Sequence, residues 1–146
     1  MKFDIDSYIA MIKQMRKELT DVGFKELITP EDVDKAMMEQ EGTMLVFVNS
    51  VCGCAGGIAR PGVVEALKHD KHPDKLVTVF AGQEREATER MRQYFGDLPP
   101  SSPSIFLFKD GSLVDVMHRS DIEGTSKEAV AKRLSEMFDE FCKTYA

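Results

Sequence analysis

Long apolar runs, unbroken basic stretches and a cysteine framework are all missing from this 146-residue chain. Its longest apolar segments are strand-length, well short of the roughly 20 residues a membrane-spanning helix requires. Lys and Arg number 19 against 25 Asp and Glu, a net charge of −6, and no basic stretch free of acids would follow a phosphate backbone. Neither a membrane nor a nucleic acid is therefore expected as a partner. The opening Met1-Lys2-Phe3-Asp4-Ile5-Asp6 turns acidic at once and has no apolar signal core, so the expected location is the cytoplasm. With 3 cysteines the count is odd and too small for a disulfide scaffold. In a reducing compartment a close cysteine pair points instead to catalysis, redox sensing or metal binding.

Linkers, repeats and low-complexity tracts are absent too, which predicts one domain over residues 1–146 with an N-terminal helical extension over about 4–20. A chain of this length buries roughly two-thirds of its unfolded surface. Ile5, Tyr8, Ile9, Ile12, Met15 and Leu19 recur at helical spacing, predicting an amphipathic helix from Asp6 to Leu19 laid on the core. Phe24 to Ile28 reads as a short strand. Thr29-Pro30-Glu31-Asp32 has the form of a helix start, with Thr29 as N-cap and Pro30 in the first helical position, and that helix should run to about Glu41. Met44 to Asn49 is a continuous apolar strand of the kind buried on both faces of a mainly parallel sheet.

A helix should follow from about Ala55 to His69, with Pro61 tolerated only near its start or at a kink. Next come a strand over Lys75 to Ala81 and a helix over Glu84 to Tyr94. Ser104 to Phe108 and Leu113 to Met117 flank Lys109-Asp110-Gly111-Ser112, a hairpin signal. The last helix, from Ser126, carries Val130, Leu134, Met137, Phe138 and Phe141 on one face. The order helix, β-α-β-α-β-α-β-β-α, with right-handed crossovers, leaves few topologies. One of them is an α/β fold of the thioredoxin-like type, a central mixed β-sheet flanked by helices, here with an added N-terminal helix.

Cys52-Gly53-Cys54 follows the apolar strand directly. If a helix opens after Cys54, both sulfurs lie at its N-terminus, where free N–H groups and the helix dipole favour thiolate. Disulfide geometry wants Cα atoms about 4.4 to 6.8 Å apart, which residues i and i+2 reach only if the chain turns, and Gly53 supplies that freedom. Such a tight ring is strained and easily reduced, hence transient. Cys52, on the exposed lip between strand and helix, is the better nucleophile, and Cys54, nearer the helix interior, the resolving thiol. Gly56 and Gly57 either leave room for a substrate or shape the turn.

The rival readings are a pair of small buried hydrophobes and a zinc site. Three glycines around the pair do not resemble a core pattern. Zinc takes four ligands from more than one segment, and Cys142, His69, His72 and His118 have no ligand spacing, so no metal and no cofactor is expected. Cys142 reads as packing, the three histidines as solvated surface, Met37, Met38, Met91 and Met117 as core filler, and Arg60 as a solvent-facing residue or a cation near the thiolate. Pro103, just before a buried strand, suits a cis turn that holds backbone beside a site.

The segment Val48-Asn49-Ser50-Val51-Cys52-Gly53-Cys54-Ala55-Gly56-Gly57-Ile58-Ala59-Arg60-Pro61-Gly62 closely resembles the active-site stretch of the bacilliredoxins, thioredoxin-like bacterial proteins bearing Cys-Gly-Cys. The resemblance continues through Phe80-Ala81-Gly82-Gln83 and from Ser101-Ser102-Pro103-Ser104 to Phe108-Lys109-Asp110-Gly111, in effect the whole chain. It implies a thiol–disulfide oxidoreductase that removes bacillithiol, or a similar small thiol, from protein mixed disulfides, with Cys52 attacking and Cys54 resolving. Its implied partners are S-thiolated or disulfide-containing proteins, a low-molecular-weight thiol such as bacillithiol, and a recycling reductase or thiol. Pro103 matches the family's cis-proline. Gly53, Gly56, Gly57, Ser102 and Pro103 form the candidate shaping set around the cysteines. Protein disulfide isomerisation and a non-catalytic redox- or metal-responsive binding module remain alternatives.

Overall fold

The computed structural model describes residues 4–39 and 41–144. The signal-core expectation for Met1 to Phe3, and Gln40 within the predicted second helix, lie outside them.

Five strands form one mixed sheet in the order β1-β3-β2-β4-β5. These are β1 (Lys25–Glu26), β2 (Thr43–Asn49), β3 (Lys75–Phe80), β4 (Ser104–Lys109) and β5 (Ser112–Met117). β3 runs parallel to both β1 and β2, whereas β4 is antiparallel to β2 and β5. Every residue of the central strand β2 is buried, and its period of two sends alternate side chains to opposite faces. Leu45 and Phe47 join Ile105 and Leu107 beneath α1 (Ile5–Thr20), α3 (Arg60–Ala66) and α6 (Lys127–Phe141). Met44, Val46 and Val48 join Val77, Val79, Phe106 and Phe108 beneath α2 (Pro30–Met37) and α4 (Arg85–Arg92). The unbroken apolar run of β2 is thus the signature of a strand with helices on both sides.

Local chemistry sets the boundaries. Thr29 and Asp32 form a reciprocal capping box at the start of α2, with Pro30 in its first turn. The β4–β5 hairpin turns through Asp110 at φ 48° and Gly111 at φ 83°, consecutive left-handed residues that match the twist of the strands. Gly42 braces this turn by donating to Asp110 Oδ1 at 2.9 Å.

Several expectations need correction. The first strand shrinks to Lys25–Glu26, α2 stops at Met37, and α4 stops at Arg92 before a 3₁₀ turn over Gln93–Phe95. α1 meets the core through Ile12 and Leu19, while Ile5 and Ile9 are exposed. Its second half is held by Arg16, which reaches Glu26 at 2.9 Å and Glu84 at 2.9 Å and lies over the Phe80 ring. Met38 is 78% exposed, beyond the end of α2, and is not core filler. The helix predicted from Ala55 to His69 is divided into a π-helical turn, Ala55–Ala59, and α3, which ends at Ala66. A short helix, α5 (Arg119–Ile122), stands where none was predicted.

Candidate active site

β2 delivers the chain to the site and a relay of short-range hydrogen bonds turns it. Asn49, the last residue of β2, accepts from the Ala81 N–H at 3.0 Å through its carbonyl and from the Ser50 N–H at 2.9 Å through Oδ1. Ser50 Oγ accepts from the Cys52 N–H at 3.3 Å. The Cys52 carbonyl then accepts from Ala55 and Gly56 N–H at 3.1 and 3.3 Å, which starts the helical winding. Within two residues the extended backbone has become helical, and the two sulfurs stand side by side with Sγ–Sγ 2.9 Å as free, half-buried thiols. Gly53 is not in the left-handed region, so this turn does not depend on a glycine-specific φ.

Pro61 marks the end of the π turn. Proline has no N–H to continue an α ladder, and it occupies the first turn of α3. The preceding residue, Arg60, sends its N–H to Ala55 O, five residues back. Such π turns are frequent at functional sites. Here the residue that closes it is Arg60, which the sequence left as solvent-facing or near the thiolate. It is 2% exposed. Its Nη1 donates to Asn49 Oδ1 and to Ser50 O, both at 2.9 Å, and its Nε to Glu18 of α1 at 3.2 Å. Arg60 therefore clamps the two residues that aim the cysteine turn, and joins them to the N-terminal helix.

The two thiols differ electrostatically. Partial burial pushes Cys52 up, but the hydrogen bonds of the Cys54 thiol, Ser50 and the Ala55 backbone, together with the Arg119 charge, outweigh it and hold Cys52 below an ordinary thiol. Burial raises Cys54, and the hydrogen bond and negative charge of Cys52 raise it further. The pair is therefore poised with the thiolate on Cys52 and the proton on Cys54.

Sequence reasoning missed Arg119. Its Nη1 donates to Ser102 O at 3.2 Å, its Nε to Glu123 at 2.8 Å, and its backbone N–H to Ser101 Oγ at 3.4 Å. It thereby ties the Ser102–Pro103 loop, whose peptide bond is cis, to a cation acting on both thiols. The available signal was His118-Arg119-Ser120-Asp121, where Asp121 Oδ2 accepts from the His118 N–H at 2.9 Å at the start of α5.

The candidate glycines divide. A methyl group at Gly53 or Gly57 would meet nothing within 4 Å, whereas one at Gly56 would lie 2.9 Å from Arg60 Nη2. Gly56 makes room for the buried guanidinium, while Gly53 and Gly57 face open space beside the sulfurs. Cys142 packs in the core just beyond α6. His69 contacts Asp139 at 2.7 Å and His118 caps α5, both away from the cysteines in role. Among the described residues no group of 3 or more His, Cys, Asp and Glu side chains converges on a metal position, and no helix is long and apolar enough to cross a membrane.

A mixed sheet with parallel and antiparallel halves, a cysteine pair at the end of its central strand and a cis-proline before the antiparallel neighbour β4 is the arrangement of a thioredoxin-fold thiol–disulfide oxidoreductase. Solved structures share the fold. Thioredoxin O2 from Arabidopsis thaliana aligns with TM-score 0.58 at 15% identity over 84% of this chain and 97% of its own. Fasciola hepatica thioredoxin aligns with TM-score 0.55 at 20% identity over 81% and 99%.

Sequence relatives narrow the class. A family described as Disulphide isomerase matches residues 8–142. A bacilliredoxin of Halalkalibacterium halodurans is 56% identical over 133 residues, 91% of this chain and 92% of the relative. One from Geobacillus kaustophilus is 54% identical over 142 residues, 97% of each. The chain belongs to the bacilliredoxin family.

Proposed function

We propose that this protein removes bacillithiol, or a closely similar small thiol, from protein mixed disulfides in the cytoplasm. The observation that carries the reading is the unequal thiol pair, Sγ–Sγ 2.9 Å, set beside a cis-proline loop and a cation. The choice of bacillithiol rests on relatives that are named bacilliredoxins and are more than half identical.

The Cys52 thiolate attacks the bacillithiol sulfur of the mixed disulfide. One S–S bond forms between Cys52 and bacillithiol as the original S–S bond breaks, and the substrate protein leaves as a thiolate that takes a proton from water. Cys54 then loses its proton, attacks Cys52 Sγ and expels bacillithiol thiolate, leaving a Cys52–Cys54 disulfide. Substrate disulfide has been reduced by two electrons and the cysteine pair oxidised by two, and a recycling dithiol or reductase returns them. The roles follow from the pKa order and not from exposure, since both thiols are half-buried: the lower-pKa Cys52 thiolate attacks and the higher-pKa Cys54 thiol stays protonated until it is needed. Arg119 stabilises the attacking thiolate, and Gly53, Gly57, Ser102 and Pro103 leave backbone and space where the mixed disulfide lies.

Intact-mass spectrometry of Cys54→Ala after incubation with a bacillithiolated protein tests this. A single bacillithiol adduct on Cys52, transient in the wild type, is expected. No adduct on demonstrably reduced Cys52 rejects the transfer. A second reading, disulfide isomerisation, is favoured by the family description. It predicts faster recovery of a scrambled substrate than net reduction of a simple disulfide.

A further inference from the structure

The chain has seven arginines, and six of them are held by carboxylates. Arg85, at the start of α4, is the exception among the described residues: it is exposed and makes no ion pair or hydrogen bond. It lines an open groove of about 560 Å³ that Ser102, the residue before the cis-proline, also lines. The Ser102 carbonyl is taken by Arg119, but its hydroxyl has no partner among the described residues. Two unpartnered donors, from segments far apart in the chain, thus face one groove.

Two other polar residues of the lining already have partners. The Thr88 hydroxyl donates to Glu84 O at 2.8 Å, and Arg92 pairs with Glu89 at 3.3 Å. Arg85, Thr88, Glu89 and Arg92 fall at i, i+3, i+4 and i+7, one face of α4. With Glu89 offsetting Arg92, Arg85 leaves the groove with a positive balance, on a chain whose net charge is −6. Ala81 and Gly82, which also line the groove, follow β3, and the Ala81 N–H is bonded to Asn49, where the cysteine turn begins. A forked cation and a free hydroxyl in one groove are a donor set that suits a carboxylate.

We propose that the groove between Arg85 and Ser102 is the subsite for a carboxylate at the non-reacting end of the small thiol. This rests on the small-thiol transfer reading above and deepens it. Arg85 grips the carboxylate, the Ser102 hydroxyl donates to it, and the thiol's sulfur is left toward Cys52. Selectivity then comes from charge at the far end of the thiol, while the substrate protein contributes its disulfide alone.

The test uses a reporter protein carrying bacillithiol, or bacillithiol with its carboxylates methyl-esterified, as the mixed disulfide. Transfer rates are measured for the wild type, Arg85→Gln and Ser102→Ala. Loss of a charge-assisted hydrogen bond predicts that Arg85→Gln slows the acidic thiol about tenfold, with Arg85→Lys recovering part of the loss. The esterified thiol should transfer equally in wild type and Arg85→Gln. Calorimetric titration with S-methyl bacillithiol, which cannot exchange, reads binding alone. Equal transfer of the acidic thiol by wild type and Arg85→Gln overturns the subsite and leaves the transfer reading standing. Binding of S-methyl bacillithiol that is lost in Arg85→Gln, without any transfer in the wild type, keeps the subsite and overturns the transfer reading. Absence of S-methyl bacillithiol binding to the wild type also overturns the subsite.

Discussion

Replacing Arg60 with Met keeps a long flexible side chain and removes the buried charge. Ser50 O at 2.9 Å and Glu18 at 3.2 Å lose the guanidinium, and Asn49 Oδ1 keeps only the Ser50 N–H of its two donors. Breaking a buried hydrogen-bonded charge pair from one side costs roughly 3–5 kcal/mol. The Glu18 side chain is 32% exposed, so its carboxylate rehydrates and the low end applies, about 3 kcal/mol. Against a total of about 5–15 kcal/mol the variant stays folded. At roughly 2–4 °C per kcal/mol for a chain of this size, its Tm falls by about 10 °C. Circular dichroism melts under reducing conditions measure this, with Arg60→Lys expected between the two because it keeps the charge and loses the fork. Because Asn49 and Ser50 orient the Cys52 backbone, the rate of Cys52 alkylation should fall as well. A Tm within about 2 °C of wild type would refute the clamp, since surface substitutions alone fall in that range.

Arg119→Gln should move the pH profile of Cys52 alkylation upward: the cation stabilises the thiolate, so its loss raises the pKa, and the rate falls at every pH below the new midpoint while the plateau is unchanged. A profile that stays in place would remove Arg119 from the site. Gly62→Ala drives a methyl to 2.7 Å from Val130 Cγ1 and 3.2 Å from the Lys127 carbonyl, an overpacking of α3 on α6 that should cost about 1–3 kcal/mol in urea unfolding; unchanged stability would contradict that close approach. Gly56→Ala should destabilise by displacing Arg60, whereas Gly57→Ala, with open space, should be neutral or gain up to about 1 kcal/mol of helix propensity. Slower exchange in a fully stable Gly57→Ala protein would mark the path of the substrate.

Some of this molecule was written locally. The continuous apolar run of β2, the capping box at Thr29, the Asp110-Gly111 turn and the close cysteine pair each depend on neighbours within a few residues, and period, capping and turn chemistry are readable at that range. The mixed sheet, its hairpin and the placement of Cys52-Gly53-Cys54 at the end of the central strand followed from them. What sequence could not decide depended on partners brought together by packing. Arg60 is buried because Glu18 lies 42 residues away in sequence yet beside it in space, and because Asn49 and Ser50 offer it acceptors. Arg119 acts on the cysteines through its charge, from a helix too short to carry a periodic signal, and Arg85 stands out once the other arginines are seen to be paired. Met38, Ile5 and Ile9 match an apolar pattern but end on the surface, because burial is set by where the helices end against the sheet. Charge partners and burial are long-range quantities, fixed when the layers pack rather than by any window of sequence.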